Sequence, residues 1–188
     1  MRIIAGAFRG RRLHSPRGGK IRPTIDRVRE AIFNIVASEV PDASVLDLFA
    51  GTGAMGLEAL SRGALRAVFV DQDSEAVRLI RANVELCRAS DRARIIQEPV
   101  PSAVRRLAAK NDKFDLIFLD PPYAKGLVEA TLVLLDGIAE AGALVVAEHH
   151  VKDEAPPKLG IWSRERERRY GDTLVSIYCR ELDSEERK

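Results

Sequence analysis

Cysteine is scarce in this chain: Cys87 and Cys179 are the only two among 188 residues. Two thiols form no disulfide framework and no clustered zinc spacing, which argues against a stapled secreted domain or a zinc module. Long apolar runs are also missing, and none approaches the roughly 18 residues that a membrane span requires. The opening Met1-Arg2-Ile3-Ile4-Ala5-Gly6 lacks the apolar core of a secretory signal, so a cytoplasmic protein is expected. No repeat and no second domain can be read. Net charge is nearly absent as well, at +2 from 30 Lys/Arg and 28 Asp/Glu. With 46% hydrophobic residues the composition is that of a globular chain rather than a disordered one.

What charge there is sits unevenly. Residues 1–30 carry nine basic side chains against Asp26 and Glu30, about +7, which leaves 21 basic and 26 acidic residues, −5, for the rest. A basic arm on a mildly acidic body suits contact with polyphosphate. Within the arm, Ile3–Ala5 and Arg11–Leu13 flank a turn-like stretch and predict a small hairpin. Arg17–Lys20 is expected to be mobile. Pro23-Thr24 opens a helix with Thr24 as N-cap, and Val28, Ile32, Ile35 and Val36 share one face.

From Ser44 onward strands and helices alternate. Strands are expected at Val45–Phe49, Ala67–Val70, Arg94–Ile96, Phe114–Leu119 and Ala143–Ala147. Helices follow near Met55–Leu60, Ser74–Cys87, Val104–Leu107 and Leu127–Leu135. Units of this length predict a parallel sheet covered on both faces. Ile161–Arg169 and Thr173–Arg180 predict a terminal hairpin.

Two segments carry chemistry. Asp47-Leu48-Phe49-Ala50-Gly51-Thr52-Gly53-Ala54-Met55-Gly56 contains G-x-G-x-x-G between a strand and a helix, so backbone can approach a ligand closely. Asp71 ends the next strand, where an acid can accept bonds from ribose hydroxyls. A dinucleotide or S-adenosylmethionine would fit that loop. Asp47 favours the second, because its carboxylate suits a cationic methionyl group and repels pyrophosphate. Asp47 as a helix cap, and Asp71 as a turn acid, are the plainer alternatives.

The other segment is Asp120-Pro121-Pro122-Tyr123, delivered at the end of the fourth strand. An exocyclic amine on a base is a weak nucleophile because its lone pair is delocalised into the ring. The Asp120 carboxylate and the Pro121 carbonyl can each accept one N–H, turning the lone pair toward a methyl donor. The prolines fix φ and remove donors, and Tyr123 can stack on the base. No metal or covalent intermediate is required.

These segments resemble the class I methyltransferases with Asp/Asn-Pro-Pro-Tyr/Phe/Trp sites. More narrowly the chain is similar to the RsmD family, which methylates guanine N2 in 16S ribosomal RNA. Arg2–Gly6 with Gly10–Leu13, Arg22-Pro23-Thr24 with Asp26–Asn34, the glycine loop, Ser61–Ala64, Asp120–Tyr123 and Tyr170–Thr173 carry the likeness. The Arg-Pro-Thr helix is its most selective part. The resemblance implies an α/β Rossmann-like fold with a mostly parallel seven-stranded sheet, a C-terminal antiparallel hairpin and a small basic N-terminal extension. It implies a basic hairpin and helix over 1–40, a methyltransferase domain over 41–182 and a polar tail over 183–188.

For the cofactor S-adenosylmethionine it implies contacts from Arg22, Pro23, Thr24, Asp47, Phe49, Ala50, Gly51, Thr52, Gly53, Asp71, Gln72 and Asp120. Asp120 and Pro121 would hold the amine, with Tyr123 beside the base, and the partner would be 16S rRNA in a small subunit or its assembly intermediate. A monomer is expected, with no metal. One departure stands out: Ile96–Pro101 lacks the Asp-Ala usual near the adenine, and Gln97 or Glu98 could replace it. Asp73 is read as a helix N-cap. His14, His149 and His150 have no partner spacing that marks them as catalytic, although Glu148-His149 follows the fifth strand. The other readings are an adenine-N6 or cytosine-N4 enzyme, a glutamine methyltransferase, a nicotinamide oxidoreductase and a non-catalytic ribosome-binding protein.

Overall fold

Five parallel strands and an antiparallel C-terminal hairpin make one sheet, with helices on both faces. The computed structural model describes residues 1–16, 23–122, 126–153 and 155–181, with residues 23–25 described by backbone alone. In chain order the elements begin with α1 (Pro23–Ile35), β1 (Ser44–Leu48), α2 (Ala54–Ser61), β2 (Arg66–Asp71) and α3 (Ser74–Cys87). They continue with β3 (Ala93–Gln97), α4 (Val100–Ala109), β4 (Phe114–Leu119), α5 (Leu127–Leu132) and β5 (Ala139–His150). The chain then forms β6 (Lys158–Leu159), β7 (Trp162–Tyr170) and β8 (Thr173–Arg180). Strand order across the sheet is β3-β2-β1-β4-β5-β8-β7-β6. The first five are mutually parallel and the last three pair antiparallel.

The central parallel strands are mostly apolar on both faces because helices cover both. Val45 and Phe118 face a cluster with Phe33, Leu57 and Ile80, so α1, α2 and α3 lie on that side. Leu46 and Ile117 face Val104, Leu107 and Leu132 of α4 and α5 on the other. In α3, Val77, Ile80, Val84 and Cys87 are buried as their spacing predicts, and Asp73 caps it by accepting the Glu75 N–H at 2.8 Å. Phe33 of α1 meets Phe118 of β4 with ring centroids 5.4 Å apart, which anchors that helix beside the end of β4. Among the described residues no helix is long and apolar enough to cross a membrane.

Three details differ from the sequence reading. The sheet has eight strands, because Lys158–Leu159 adds a two-residue edge strand too short to show a period. The fifth strand runs from Ala139 to His150, well beyond Ala143–Ala147, with a register shift opposite β4 that absorbs residues near Gly142. The helix α1 starts at Pro23, so Thr24 lies in its first turn instead of at the N-cap; proline's fixed φ suits the first helical position. Expectations for Arg17–Lys20, Arg22, Tyr123 and the tail 183–188, and for the Pro23 and Thr24 side chains, lie outside the described residues.

The N-terminal hairpin is pinned down firmly. Its strands meet at one bridge, Arg2 with Arg12, and Ile3 donates to the Arg11 carbonyl at 3.0 Å. The fully buried Glu58 of α2 accepts the N–H groups of Ile4 at 2.8 Å and Ala5 at 3.0 Å. Asn83 of α3, also fully buried, exchanges bonds with the His14 backbone and donates to the Thr52 carbonyl at 2.9 Å. Ile3, Phe8 and Leu13 thereby join the main core.

Gly56 shows why the last glycine of the loop motif is glycine. A Cβ there would lie 2.3 Å from Cε1 of Phe69, which is completely buried in β2. Gly56→Ala is expected to destabilise the protein by about 1–3 kcal/mol through overpacking. A denaturant midpoint equal to that of the parent would refute this.

Candidate active site

The loop after β1 takes its shape from three left-handed residues: Phe49 at φ 57°, Gly51 at 55° and Gly53 at 74°. Phe49 is the costly one, since a side chain in that region stores roughly 1–3 kcal/mol of strain. Two acids hold the loop. Asp71 accepts the Gly51 N–H on Oδ2 at 2.8 Å and the Asp73 N–H on Oδ1 at 2.9 Å. Asp47 accepts the Gly56 N–H on Oδ2 at 2.9 Å, restraining the first turn of α2 from below. Asp47 is thus the helix-restraining acid of the plainer reading, and its other oxygen is free of protein N–H donors among the described residues.

Two adjoining clefts open above the strand ends. The larger, about 600 Å³, is lined by Asp47, Phe49–Thr52 and Asp120, with Glu148, His150 and Tyr170–Thr173 at its far end. The other, about 420 Å³, is lined by Phe49, Asp71, Gln72, Asp73, Asp120, Pro121 and Pro122. Phe49 and Asp120 border both. The structure therefore brings together Asp47, Phe49, Ala50, Gly51, Thr52, Asp71, Gln72, Asp120 and Pro121. Gly53 lines neither cleft and lies against the Phe69 ring, where a Cβ would sit 3.3 Å from Cε1. Gln97 and Glu98 line neither, and Glu98 pairs with Arg106 at 3.0 Å.

The larger cleft gathers carboxyls, and Arg29 on its wall is paired with Asp26 and lies near Glu58. Asp47 is 3% exposed, and burial, opposed by the Gly56 N–H and reinforced by Asp120 and Asp71, pushes its carboxyl up to about 8. Asp120 is exposed at the cleft, and partial desolvation there raises its carboxyl to about 6. Glu148 is half-buried, and desolvation followed by the charge of Asp120 raises it to about 8. Carboxyls raised by burial are best stabilised as anions by a cation entering the cleft.

Sequence reasoning missed several residues here. Arg29 of α1 lines the wall formed with Met1 and Val28; it is 2% exposed, bonds to the Arg2 carbonyl at 2.6 Å and Asp26 at 3.1 Å, and lies 3.7 Å from Glu58. Its Nη1 and Nε have no hydrogen-bond partner among the described residues. Glu148 and His150 reach the cleft because β5 extends further than its apolar run. His149 faces the other way, with Nε2 3.0 Å from the Ser176 hydroxyl, and is a buried structural histidine.

The family model described as Conserved hypothetical protein 95 matches residues 1–179. Ribosomal RNA small subunit methyltransferase D of Escherichia coli is 38% identical over 187 residues, 98% of this chain and 92% of that protein. The chain belongs to the RsmD family. The Bacillus subtilis protein YlbH is 37% identical over 95% of this chain and 98% of its own length. A solved Escherichia coli structure, that of yhhF, is 38% identical and covers 97% of this chain and 99% of its own, with TM-score 0.82. The sheet order and terminal hairpin are those of Rossmann-like methyltransferases, and the RsmD family provides the frame for reading the two clefts.

Proposed function

We propose that this chain transfers a methyl group from S-adenosylmethionine to the exocyclic N2 of a guanine in small-subunit ribosomal RNA. The observation that carries the reading is the position of Asp120, on the border of both clefts, where a donor and an acceptor base would meet. The RsmD-family relative named above acts on small-subunit rRNA and supports the acceptor class.

The donor fits the residues present. A cleft with the raised carboxyls of Asp47 and Asp120 beside a left-handed glycine loop suits a cationic amino-acid group more than a polyphosphate. Asp47 and the loop Ala50–Thr52 would hold the methionyl end, and Asp71 and Gln72 the ribose end, with Asp71 keeping lone pairs beyond its two backbone bonds. S-adenosylmethionine supplies an electrophilic methyl on a sulfonium, which leaves as a neutral thioether when nitrogen attacks. Asp120 and the Pro121 carbonyl accept the two N–H bonds of the amine and aim its lone pair. Positioning and the surrounding carboxylates provide the rate. Exposed Arg2, Arg9, Arg12 and Arg27, with Arg166, Arg168 and Arg169 on β7 leading to Tyr170 at the cleft, supply phosphate contacts.

Donor binding should release protons. In the empty cleft Asp47 holds its proton up to about 8, against an ordinary 3.8, so a cation pulls it into the charged form. The sign for stability follows: the raised folded pKa favours the empty protein at low pH, and that contribution is lost as pH rises toward about 8. Calorimetry of donor binding at pH 7 in buffers of different ionisation enthalpy is expected to show net proton release, with affinity rising between pH 6 and 8. A heat independent of buffer would refute the assignment of Asp47.

The acceptor class is tested with methyl-labelled donor and three substrates: small ribosomal subunits, naked 16S rRNA and duplex DNA. Label in either RNA substrate supports the reading. Label confined to DNA overturns it.

A further inference from the structure

Glu148 has no part in the chemistry above, yet it stands beside it. Leu119 of β4 pairs with Ala147 of β5, so Asp120 and Glu148 follow in register, and both carboxylates line the same cleft. Across the sheet the order is β2, β1, β4, β5. Asp71 and the glycine loop belong to β2 and β1, on one side of Asp120, and Glu148 lies on the other. That places it on the acceptor side. Neither carboxylate is held by a cation among the described residues, and each is close enough for the charge of Asp120 to act on Glu148.

Base edges differ in what they offer such a group. Guanine presents an N1–H donor beside its amine, which a carboxylate can accept. Adenine and cytosine present their amine beside a bare ring nitrogen, an acceptor that a carboxylate repels. We propose that Glu148 is the specificity-determining residue of the site, accepting guanine N1–H while Asp120 and Pro121 hold both N–H bonds of the amine for transfer. This rests on the guanine-N2 reading and explains how a site built on Asp-Pro-Pro-Tyr selects guanine. The N1–H donor also stabilises the charged form of a carboxyl that desolvation otherwise keeps protonated.

The test compares 16S rRNA carrying guanine or 2-aminopurine at the target position. 2-Aminopurine keeps the N2 amine but has a bare N1. The parent protein is expected to prefer guanine by roughly 10- to 100-fold, the range of one hydrogen bond to a charged group. In Glu148→Gln the carboxamide can donate to a bare N1, and its neutral oxygen accepts guanine N1–H more weakly than the carboxylate. The guanine rate should therefore fall while the preference collapses at least tenfold, with donor affinity by calorimetry unchanged. Equal loss on both acceptors, or no loss, would overturn the assignment of Glu148. So would a parent protein that uses both bases equally. A labelled product other than N2-methylguanosine from the parent protein would instead overturn the underlying guanine reading.

Discussion

Asp120→Ala is expected to reduce methyl transfer about 10²–10³-fold, the span usual for removing one preorganised polar group from a reaction site, while donor binding survives. The reason lies in what the side chain touches. Asp47 and the glycine loop grip the donor from β1, and the substitution leaves the Gly56 and Gly51 N–H bonds in place. What disappears is the acceptor that turns the amine's lone pair toward the methyl. Removing it also takes away a like charge from Asp47 and Glu148, whose carboxyls are raised partly by Asp120. Single-turnover transfer and donor calorimetry on the same sample separate the two effects. Asp120→Asn keeps one acceptor oxygen and should fall between the parent and the alanine variant. A parent-like single-turnover rate in Asp120→Ala would remove this carboxylate from the mechanism.

Glu58→Ala should have the largest effect on stability. Glu58 is fully buried, lies 2.9 Å from Arg62 and 3.7 Å from Arg29, and accepts two backbone N–H groups of the N-terminal hairpin. Truncation leaves the buried Arg29 with only Asp26 as counter-ion and strands the Ile4 and Ala5 donors. Removing one member of a buried pair costs about 3–5 kcal/mol, a Tm lower by roughly 6–20 °C for a chain of this size. The hairpin should then become protease-sensitive before the rest of the protein. Because Met1, Val28 and Arg29 line the larger cleft, donor affinity should weaken in parallel. Calorimetric Tm together with limited proteolysis checks both effects, and a Tm within a degree of the parent would contradict them.

These two residues mark the limits of what could be read from sequence. Asp120 was legible because its chemistry is local: an apolar strand runs into Asp-Pro-Pro, and β4 has the predicted bounds. The glycine loop was legible for the same reason, through spacing between a strand and a helix. Glu58 and Asn83 were not, because their hairpin partners Ile4, Ala5 and His14 lie more than 50 residues away in the chain and nothing local separates a buried acid from a solvated one. Glu148 was half-legible: its place after the fifth strand was visible, but its register beside Asp120 depends on pairing between strands. Asp47 was read for charge, whereas the structure gives it a second task in holding α2. Gly53 matched the motif and turned out to pack on Phe69, which motif spacing alone does not distinguish from a ligand contact.

The most direct measurement is the identity of the labelled nucleoside. Small ribosomal subunits lacking the modification are incubated with methyl-labelled donor and the parent protein, then digested to nucleosides and resolved by mass spectrometry. The site described here predicts label in N2-methylguanosine alone, absent with Asp120→Ala. Label in an adenine or cytosine nucleoside, or in ribosomal protein, would contradict it.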